Sequence, residues 1–326
     1  MLYKDSGVDR ERAKNAKDEI KKLVKRTFSK NVLYDFGLFG ALYKVNKRNP
    51  VLVSSTDSIG TKIIIAKMME KYEGLGEDIV NHCVNDILTL GAKPLFFLDY
   101  LAFNKVEERI VKEIIKGATK SCIENNLSLI GGETAEMPDI YPEGLFDVAG
   151  FIVGVIEKNI IDGKDIKPYD EVYGLPSSGL HTNGYTLARK VLFENAGFKP
   201  DKYIEEIKMT IGEALLIPHR SYLHIIYPQL KKIKGIAHIT GGGFKENIVR
   251  ILPKNVDCVI KPEWDIPYIF KIIQEYGDIP EKEMFRTFNM GIGMVVIGEK
   301  IKYGKLIGYI KKGKGRVILE GIDDKC

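Results

Sequence analysis

The pattern of apolar and polar positions divides the chain into two halves that alternate strands with helices. Val51 to Ser55 is a short β-branched apolar run that predicts a buried strand delivering a polar turn at Thr56-Asp57-Ser58. From Leu75 to Leu90, apolar residues recur at Leu75, Ile79, Cys83, Ile87 and Leu90, a helical spacing that Gly91 and Pro94 end. Leu95–Leu101 predicts a second strand, and Val106–Asn126 a second helix with Ile110, Ile114, Ala118 and Cys122 on one face. Leu127–Ile130 predicts a third strand entering a loop at Gly131-Gly132-Glu133-Thr134, and Asp147–Glu157 a fourth. This order predicts a layered α/β domain with functional groups on loops at strand ends.

The polar stretch Asp162 to Asp170 has no apolar periodicity and contains Gly163 and Pro168, so the boundary falls there, with domains at 1–162 and 170–326. In the second half, strands are predicted at Val172–Leu175, Ile236–Thr240, Val256–Ile260, Ile292–Ile297, Leu306–Ile310 and Val317–Glu320. Helices are predicted at about Asn183–Ala196, closed by Gly197, at Ile211–Tyr227 and at about Phe244–Ile251.

Composition narrows the class. A hydrophobic share of 44% and a charged share of 29%, with no apolar run of membrane-spanning length, describe a soluble globular protein. The charged segment Met1 to Lys30 lacks the apolar stretch of a secretory signal. Cys83, Cys122, Cys258 and Cys326 form no CxxC pair, which argues against a zinc site or disulfide framework and makes a reducing cytoplasm the default. The net charge of +5 is spread along the chain without interleaved aromatics, which argues against nucleic acid as a partner.

Three constellations carry candidate chemistry. Thr240-Gly241-Gly242-Gly243 lies between a strand and a helix, where free N–H groups attract an anion, although such turns also use glycine for steric reasons. Ser177 to Gly184 is a second strand-to-helix loop, in which Ser178, His181 and Asn183 offer donors to phosphate or sugar oxygens; the plainer alternative is a helix cap. Asp57, Asp86, Glu133 and Glu136 supply hard oxygens of the kind that Mg²⁺ bound to a nucleotide requires, and Lys62 could balance phosphate charge; each acid alone would be an ordinary surface residue. There is no P-loop, no G-x-G-x-x-G after a strand, no G-x-S-x-G and no HExxH, so any ATP binds by another architecture and hydrolase chemistry has no motif.

In order and over nearly the whole chain, these segments resemble the aminoimidazole ribonucleotide (AIR) synthetase family. The matching stretches are Tyr3 to Asp9, Ser55-Thr56-Asp57 with Gly60-Thr61-Lys62, Cys83 to Ile87, Gly91 to Tyr100, Gly131 to Pro138 and Asp147 to Phe151. They continue through Ser177-Ser178-Gly179, His181, Asn183-Gly184-Tyr185, His238, Thr240 to Phe244, Glu246-Asn247, and Arg286 to Asn289 with Gly291.

The resemblance implies ATP-dependent ring closure of formylglycinamidine ribonucleotide to aminoimidazole ribonucleotide, with ATP and Mg²⁺ as cofactors. It implies a cytoplasmic homodimer of PurM-like fold, with an N-terminal α/β domain whose sheet pairs across the dimer into a barrel and a C-terminal α+β domain. By the same resemblance Asp57, Asp86 and Glu133 hold metal, and Lys4, Lys21, Thr56, Lys62, Asn85, Gly131 and Gly132 hold nucleotide. Ser178, Asn183, Thr240, Gly241, Gly242 and Gly243 hold the second substrate, and Asp57, Asp86 and His181 are the catalytic candidates.

The chain departs from the family pattern at Ser55 and Ser58, usually glycine, in the loop Asp35 to Gly40, and between Ile297 and Leu306, where the family's helix has no room. The alternatives are another ATP-using enzyme of the same superfamily, of the thiamine-phosphate kinase, selenophosphate synthetase or hydrogenase-maturation type, and a non-catalytic protein that kept the fold.

Overall fold

The structure is a computed structural model that describes residues 21–33, 42–46 and 48–323. Lys4, Gly37, Gly40 and Cys326 therefore lie outside the described residues. The chain divides into two compact units, one drawn from Met1–Ile87 and Ala92–Glu157, the other from Leu88–Gly91 and Lys158–Cys326.

In the first unit the strands are β1 (Leu52–Ser58), β2 (Ala92–Phe103), β3 (Ser128–Glu136) and β4 (Phe146–Ile156), and the helices α1 (Lys62–Met69), α2 (Glu73–Leu88) and α3 (Glu108–Glu124). The sheet order is β1-β4-β2-β3, antiparallel except for β2 beside β3. The helix α3 makes that parallel crossover, as two neighbouring parallel strands require. Helices cover one face of the sheet. Gly76 of α2 and Gly117 of α3 let their backbones touch, because a Cβ on Gly76 would collide with the Ile114 carbonyl and one on Gly117 with the Glu73 carbonyl. Phe97 and Ile79 fill the space over Gly150, and Phe103 stacks on Phe146 at 5.1 Å. The other face is open, with Tyr100 and Phe151 each 38% exposed.

Two expected loops are strand. Thr56-Asp57-Ser58 continues β1, since Ser55 to Ser58 pair with Ile152 to Ala149 of β4, and the turn comes at Gly60. Gly131 to Glu136 continues β3 because Leu98 to Phe103 supplies its ladder partners. A backbone with a partner strand stays extended through residues whose own preference is for turns.

The second unit holds a six-stranded sheet of order β12-β9-β11-β5-β10-β8 and a two-stranded ribbon, β6 (Tyr203–Ile204) with β7 (Met209–Thr210). The large sheet comprises β5 (Glu171–Pro176), β8 (Ile233–His238), β9 (Val256–Ile260), β10 (Ile292–Gly298), β11 (Lys305–Lys312) and β12 (Val317–Leu319). All its pairings are antiparallel except β9 with β12. Its helices are α4 (Tyr185–Arg189), which widens into a π-helical turn at Lys190–Asn195, α5 (Ile211–Leu216), α6 (Leu223–Ile226), α7 (Gly243–Ile248), α8 (Tyr268–Gly277) and α9 (Glu281–Thr287).

The expected continuous helix Ile211–Tyr227 is broken. Pro218 lacks an N–H and forces Ile217 to ψ 126°, so α5 stops and α6 starts afresh at Leu223. The core beside α7 is aromatic: Phe244 lies 5.6 Å from both Trp264 and Phe285. Between β10 and β11 the chain crosses in residues 299–304 without a helix and tucks Ile301 into the core.

Asp257 on β9 is 1% exposed and accepts hydrogen bonds from the Lys314 amide (2.7 Å), the Arg316 amide (2.9 Å) and the Arg316 guanidinium (2.8 Å). The Arg316 hydrogen bond leads the groups that hold its carboxyl far below the ordinary carboxylate range. A folded pKa below the unfolded one gives stability that is complete above about pH 4 and fades as pH falls below it. Acid titration of unfolding free energy should show this fall in the parent, and Asp257→Asn should flatten it and lose about 2 kcal/mol at neutral pH.

Candidate functional site

Antiparallel pairing puts Asp57, Gly150, Asp99 and Gly132 in one row across the first unit's sheet. Ser58, Ala149, Tyr100 and Glu133 form the next row, on the opposite face. Asp57 faces the helices, and His82 on α2 meets it, Nε2 to Oδ2, at 2.7 Å. One turn further, Asp86 receives a hydrogen bond of 2.9 Å from the Ser55 hydroxyl, which lies two residues from Asp57 on the same face. The Ser55 hydroxyl thus ties Asp86 on α2 to the strand that carries Asp57.

Burial alone would push the Asp57 carboxyl up, but the hydrogen bond and charge of His82, with the Ser58 amide, outweigh it and hold the group below its ordinary value. Burial likewise works against charge on His82, yet Asp57, followed by Asp86 and Asp78, keeps its pKa above the ordinary value. The pair therefore favours carboxylate and imidazolium. Sequence reading missed His82, although positions 82 and 86 lie four apart, beside the apolar stripe at 75, 79 and 83.

Other expected residues are placed differently. Thr56 faces away from Asp57, and its hydroxyl donates to the Gly150 carbonyl at 2.8 Å. Glu133 projects from the open face at the far edge of the sheet and accepts from the Thr134 amide at 2.9 Å, so it does not join Asp57 and Asp86 within the unit. Asn85 is fully buried on α2, and Lys21 is exposed on the helical segment 21–25.

Lys62, expected near phosphate, turns inward: it is fully buried, and Nζ lies 2.9 and 2.8 Å from the two carboxylate oxygens of Asp78. Desolvation lowers its pKa against the opposing pull of Asp78. Lys62→Met strands a buried carboxylate and should cost about 3–5 kcal/mol in urea unfolding, while adding Asp78→Leu should restore most of it.

Gly131 and Gly132 sit within β3, where a Cβ on Gly132 would collide with the Asp99 carboxylate. Asp99, flanked in its row by two glycines, is pushed up to about 7 by desolvation, with the charge of Glu133 adding to it. A folded pKa above the unfolded one means that the native state binds more protons between about pH 4 and 7, so stability falls as pH rises through that window. Denaturation at pH 5 and pH 8 should show the drop in the parent, and Asp99→Asn should reduce it, with the raised His82 supplying the remainder.

In the second unit β5 and β8 flank β10 and both end where β10 begins, so the loops after them emerge together. The Ser177 amide donates to the Gly291 carbonyl and the Ile239 amide to the Gly293 carbonyl, at 2.9 and 3.0 Å. A Cβ on Gly241 would lie 3.3 Å from the Asn183 side-chain oxygen, which shows how closely the two loops approach.

Buried Asn289 ties the first loop. Its oxygen accepts from the Ser177 hydroxyl (3.0 Å) and the Gly291 amide (2.9 Å), and its nitrogen donates to the Gly179 carbonyl (2.9 Å). Buried Asn247 ties the second by donating to the carbonyls of Thr240, Gly241 and Gly243. Gly242 and Gly243 take φ of 88° and 60°, and a Cβ on Gly243 would collide with the Phe285 carbonyl, so these glycines serve the turn itself. The Glu246 carboxylate lies over Gly242, at the start of α7.

Ser178 spends its hydroxyl on the Pro218 carbonyl at 2.6 Å, and its amide donates to His181 Nε2 at 3.1 Å. His181 is 1% exposed at φ 63°. Of the expected second-substrate residues, Gly241 is exposed, Ser178, Asn183, Thr240 and Gly242 are half-buried and Gly243 is buried; the catalytic candidate His181 is interior.

The N-terminal domain pattern of AIR synthase related proteins matches residues 40–156, and the C-terminal domain pattern matches residues 167–312. The chain belongs to the AIR synthase related protein family. Proteins named phosphoribosylformylglycinamidine cyclo-ligase are similar to it over most or all of their length. The one from Thermoanaerobacter pseudethanolicus is 49% identical over 98% of this chain and 100% of its own. The one from Alkaliphilus metalliredigens is 45% identical over 98% of each.

Solved structures of differently named proteins share the fold at much lower identity. A thiamine-monophosphate kinase from Stenotrophomonas maltophilia aligns with TM-score 0.68 at 13% identity, over 92% of this chain and 95% of its own. The hydrogenase maturation protein HypE of E. coli aligns with TM-score 0.65 at 14%, over 95% and 94%. Among the described residues no helix is long and apolar enough to cross a membrane.

Proposed function

We propose that this chain catalyses the cyclo-ligase step of purine biosynthesis, in which formylglycinamidine ribonucleotide and ATP give 5-aminoimidazole ribonucleotide, ADP and phosphate. The observation that carries this reading is 45–49% identity to proteins named for that activity over 98% of the chain. The kinase and HypE neighbours share fold alone, so they do not favour their own activities here. A HypE of this fold has been solved with ATP, which supports the use of that nucleotide.

The chemistry has to turn a poor leaving group into a good one. The formyl oxygen takes the γ-phosphoryl group of ATP, the ribose-bearing nitrogen bonds to the formyl carbon, and that carbon then releases its oxygen as phosphate. Phosphoryl transfer asks a protein mainly for positioning and charge neutralisation. Asp57 and Asp86 fit Mg²⁺ in that scheme: both are hard oxygen donors on one face, and Asp57 is held ionised with its side chain 38% exposed. The ion would screen the triphosphate.

Asn183, Thr240 and Gly241 form the edge that meets the ribonucleotide substrate, with Asn289 and Asn247 as the ties that hold it. Lys21 remains the described cation assigned to triphosphate. The open face bearing Tyr100 and Phe151 is the surface through which a second copy would pair, as a cytoplasmic homodimer.

ADP release measured with and without formylglycinamidine ribonucleotide tests the reading. Release should depend on that substrate, and Asp57→Asn should lower kcat/KM about 100-fold or more. Release that ignores it, or that responds to thiamine phosphate instead, would overturn the assignment.

A further inference from the structure

The end of the second unit's large sheet opposite the loops after β5 and β8 carries a concentration of charge that the proposed chemistry does not use. β5, β8, β9 and β12 start at this end, and β10 and β11 finish there, since Gly298 pairs with Glu171 and Ile233, and Lys312 with Val256. Taken across the sheet from β8 to β12, the exposed lysines Lys232, Lys300, Lys167, Lys312, Lys254 and Lys314 each lie within four residues of a different strand's terminus. Every strand is tipped by a cation, and none of the six has an ion-pair partner among the described residues.

The net charge of +5 is gathered more tightly than its spread along the sequence suggests. Residues 299–316 hold seven of the 49 basic residues and one of the 44 acidic ones, leaving 42 basic against 43 acidic elsewhere. Acids at this end are largely spent: Asp170 pairs with Lys234 at 2.6 Å, Asp257 with Arg316 at 2.8 Å and Asp162 with Lys164 at 3.4 Å, and Glu171 accepts from the Tyr173 hydroxyl. Asp165 and Glu299 remain as exposed carboxylates. Tyr169 stands out at the same end, 91% exposed at φ 75°, with its amide donating to the Ile310 carbonyl at 2.8 Å. A bulky residue keeps a left-handed backbone only where its surroundings enforce it.

We propose that this end of the sheet is a docking surface for an acidic segment of another protein. Charge complementarity selects a polyanion. Lysine, a hydrated point charge on a flexible stem, suits the scattered carboxylates of such a segment, whereas planar phosphate recognition favours the arginine fork. Single-stranded nucleic acid is held by several aromatic faces in succession; one protruding tyrosine among charges is instead the anchor-and-rim pattern of protein interfaces. Six strands at about 4.8 Å spacing span about 24 Å, which an extended chain covers in about seven or eight residues.

The test uses the full chain and a fluorescent peptide of about eight residues, Asp and Glu around a central leucine, followed by anisotropy. Binding should appear at about 50 mM salt and weaken severalfold at about 200 mM, as the screening length shrinks. Lys232→Glu combined with Lys312→Glu and Lys314→Glu should weaken it about tenfold or more. Tyr169→Gly, which suits the positive φ, should lower it severalfold. The same change of charge at exposed Lys199, Lys208 and Lys271, on α8 and beside the β6–β7 ribbon, should leave binding unchanged. No binding at the lower salt, or equal loss in both triple variants, would overturn the proposal. So would tighter binding of a single-stranded RNA or of phosphatidylserine vesicles of matched charge.

Discussion

The pairing of β4 with β1 on one side and β2 on the other is the constraint from which the first unit's chemistry follows. It sets which residues share a row and so which share a face. Asp57 and Asp99 fall in one row, with Gly150 between them and Gly132 beyond. Two acids under a layer of helices would be costly to ionise together, and the structure separates their fates. Asp57 has an imidazole and an amide to hold its charge, whereas at Asp99 desolvation, opposed by its own backbone amide, raises the group to about 7. One row of the sheet thus yields one carboxylate and one group poised near pH 7.

The second unit solves a different problem, how to hold two irregular loops steady at the ends of its strands. Buried asparagines do it from inside. Asn289 and Asn247 use both ends of their amides, or several contacts from one end, on loop carbonyls, amides and hydroxyls. This frees the loop backbones from needing strand or helix partners, and it leaves Asn183, Thr240 and Gly241 at an edge whose shape is set from below.

Much of this was legible in the sequence where burial is complete on both sides. Val256–Ile260 is a strand with the predicted bounds because all five of its residues are buried, and Gly91 ends α2 at φ 77° as a left-handed stop should. What failed to show was anything decided by a distant partner. Gly131-Gly132-Glu133-Thr134 has the composition of a loop, and only the ladder from β2 makes it strand. Lys62 resembles a phosphate ligand until Asp78, sixteen residues on, is found beside it in the interior. Glu133 could be grouped with Asp57 by residue type, but the face each occupies depends on register. Pro218 was visible and should have broken the long helix.

The hydroxyl of Ser55 shows how one local contact can constrain a whole strand. Without that hydroxyl, Asp86 would lose its tie to β1, and small shifts of α2 would carry the carboxylate relative to the strand. The Ser55 hydroxyl fastens it to the edge strand instead. Because β1 is paired on one side only within this unit, that bond also works in reverse: a slip of one residue along β4 would turn Ser55 and Asp57 out to the open face and bring Thr56 in. The acid on the helix thereby proofreads the alignment of the strand.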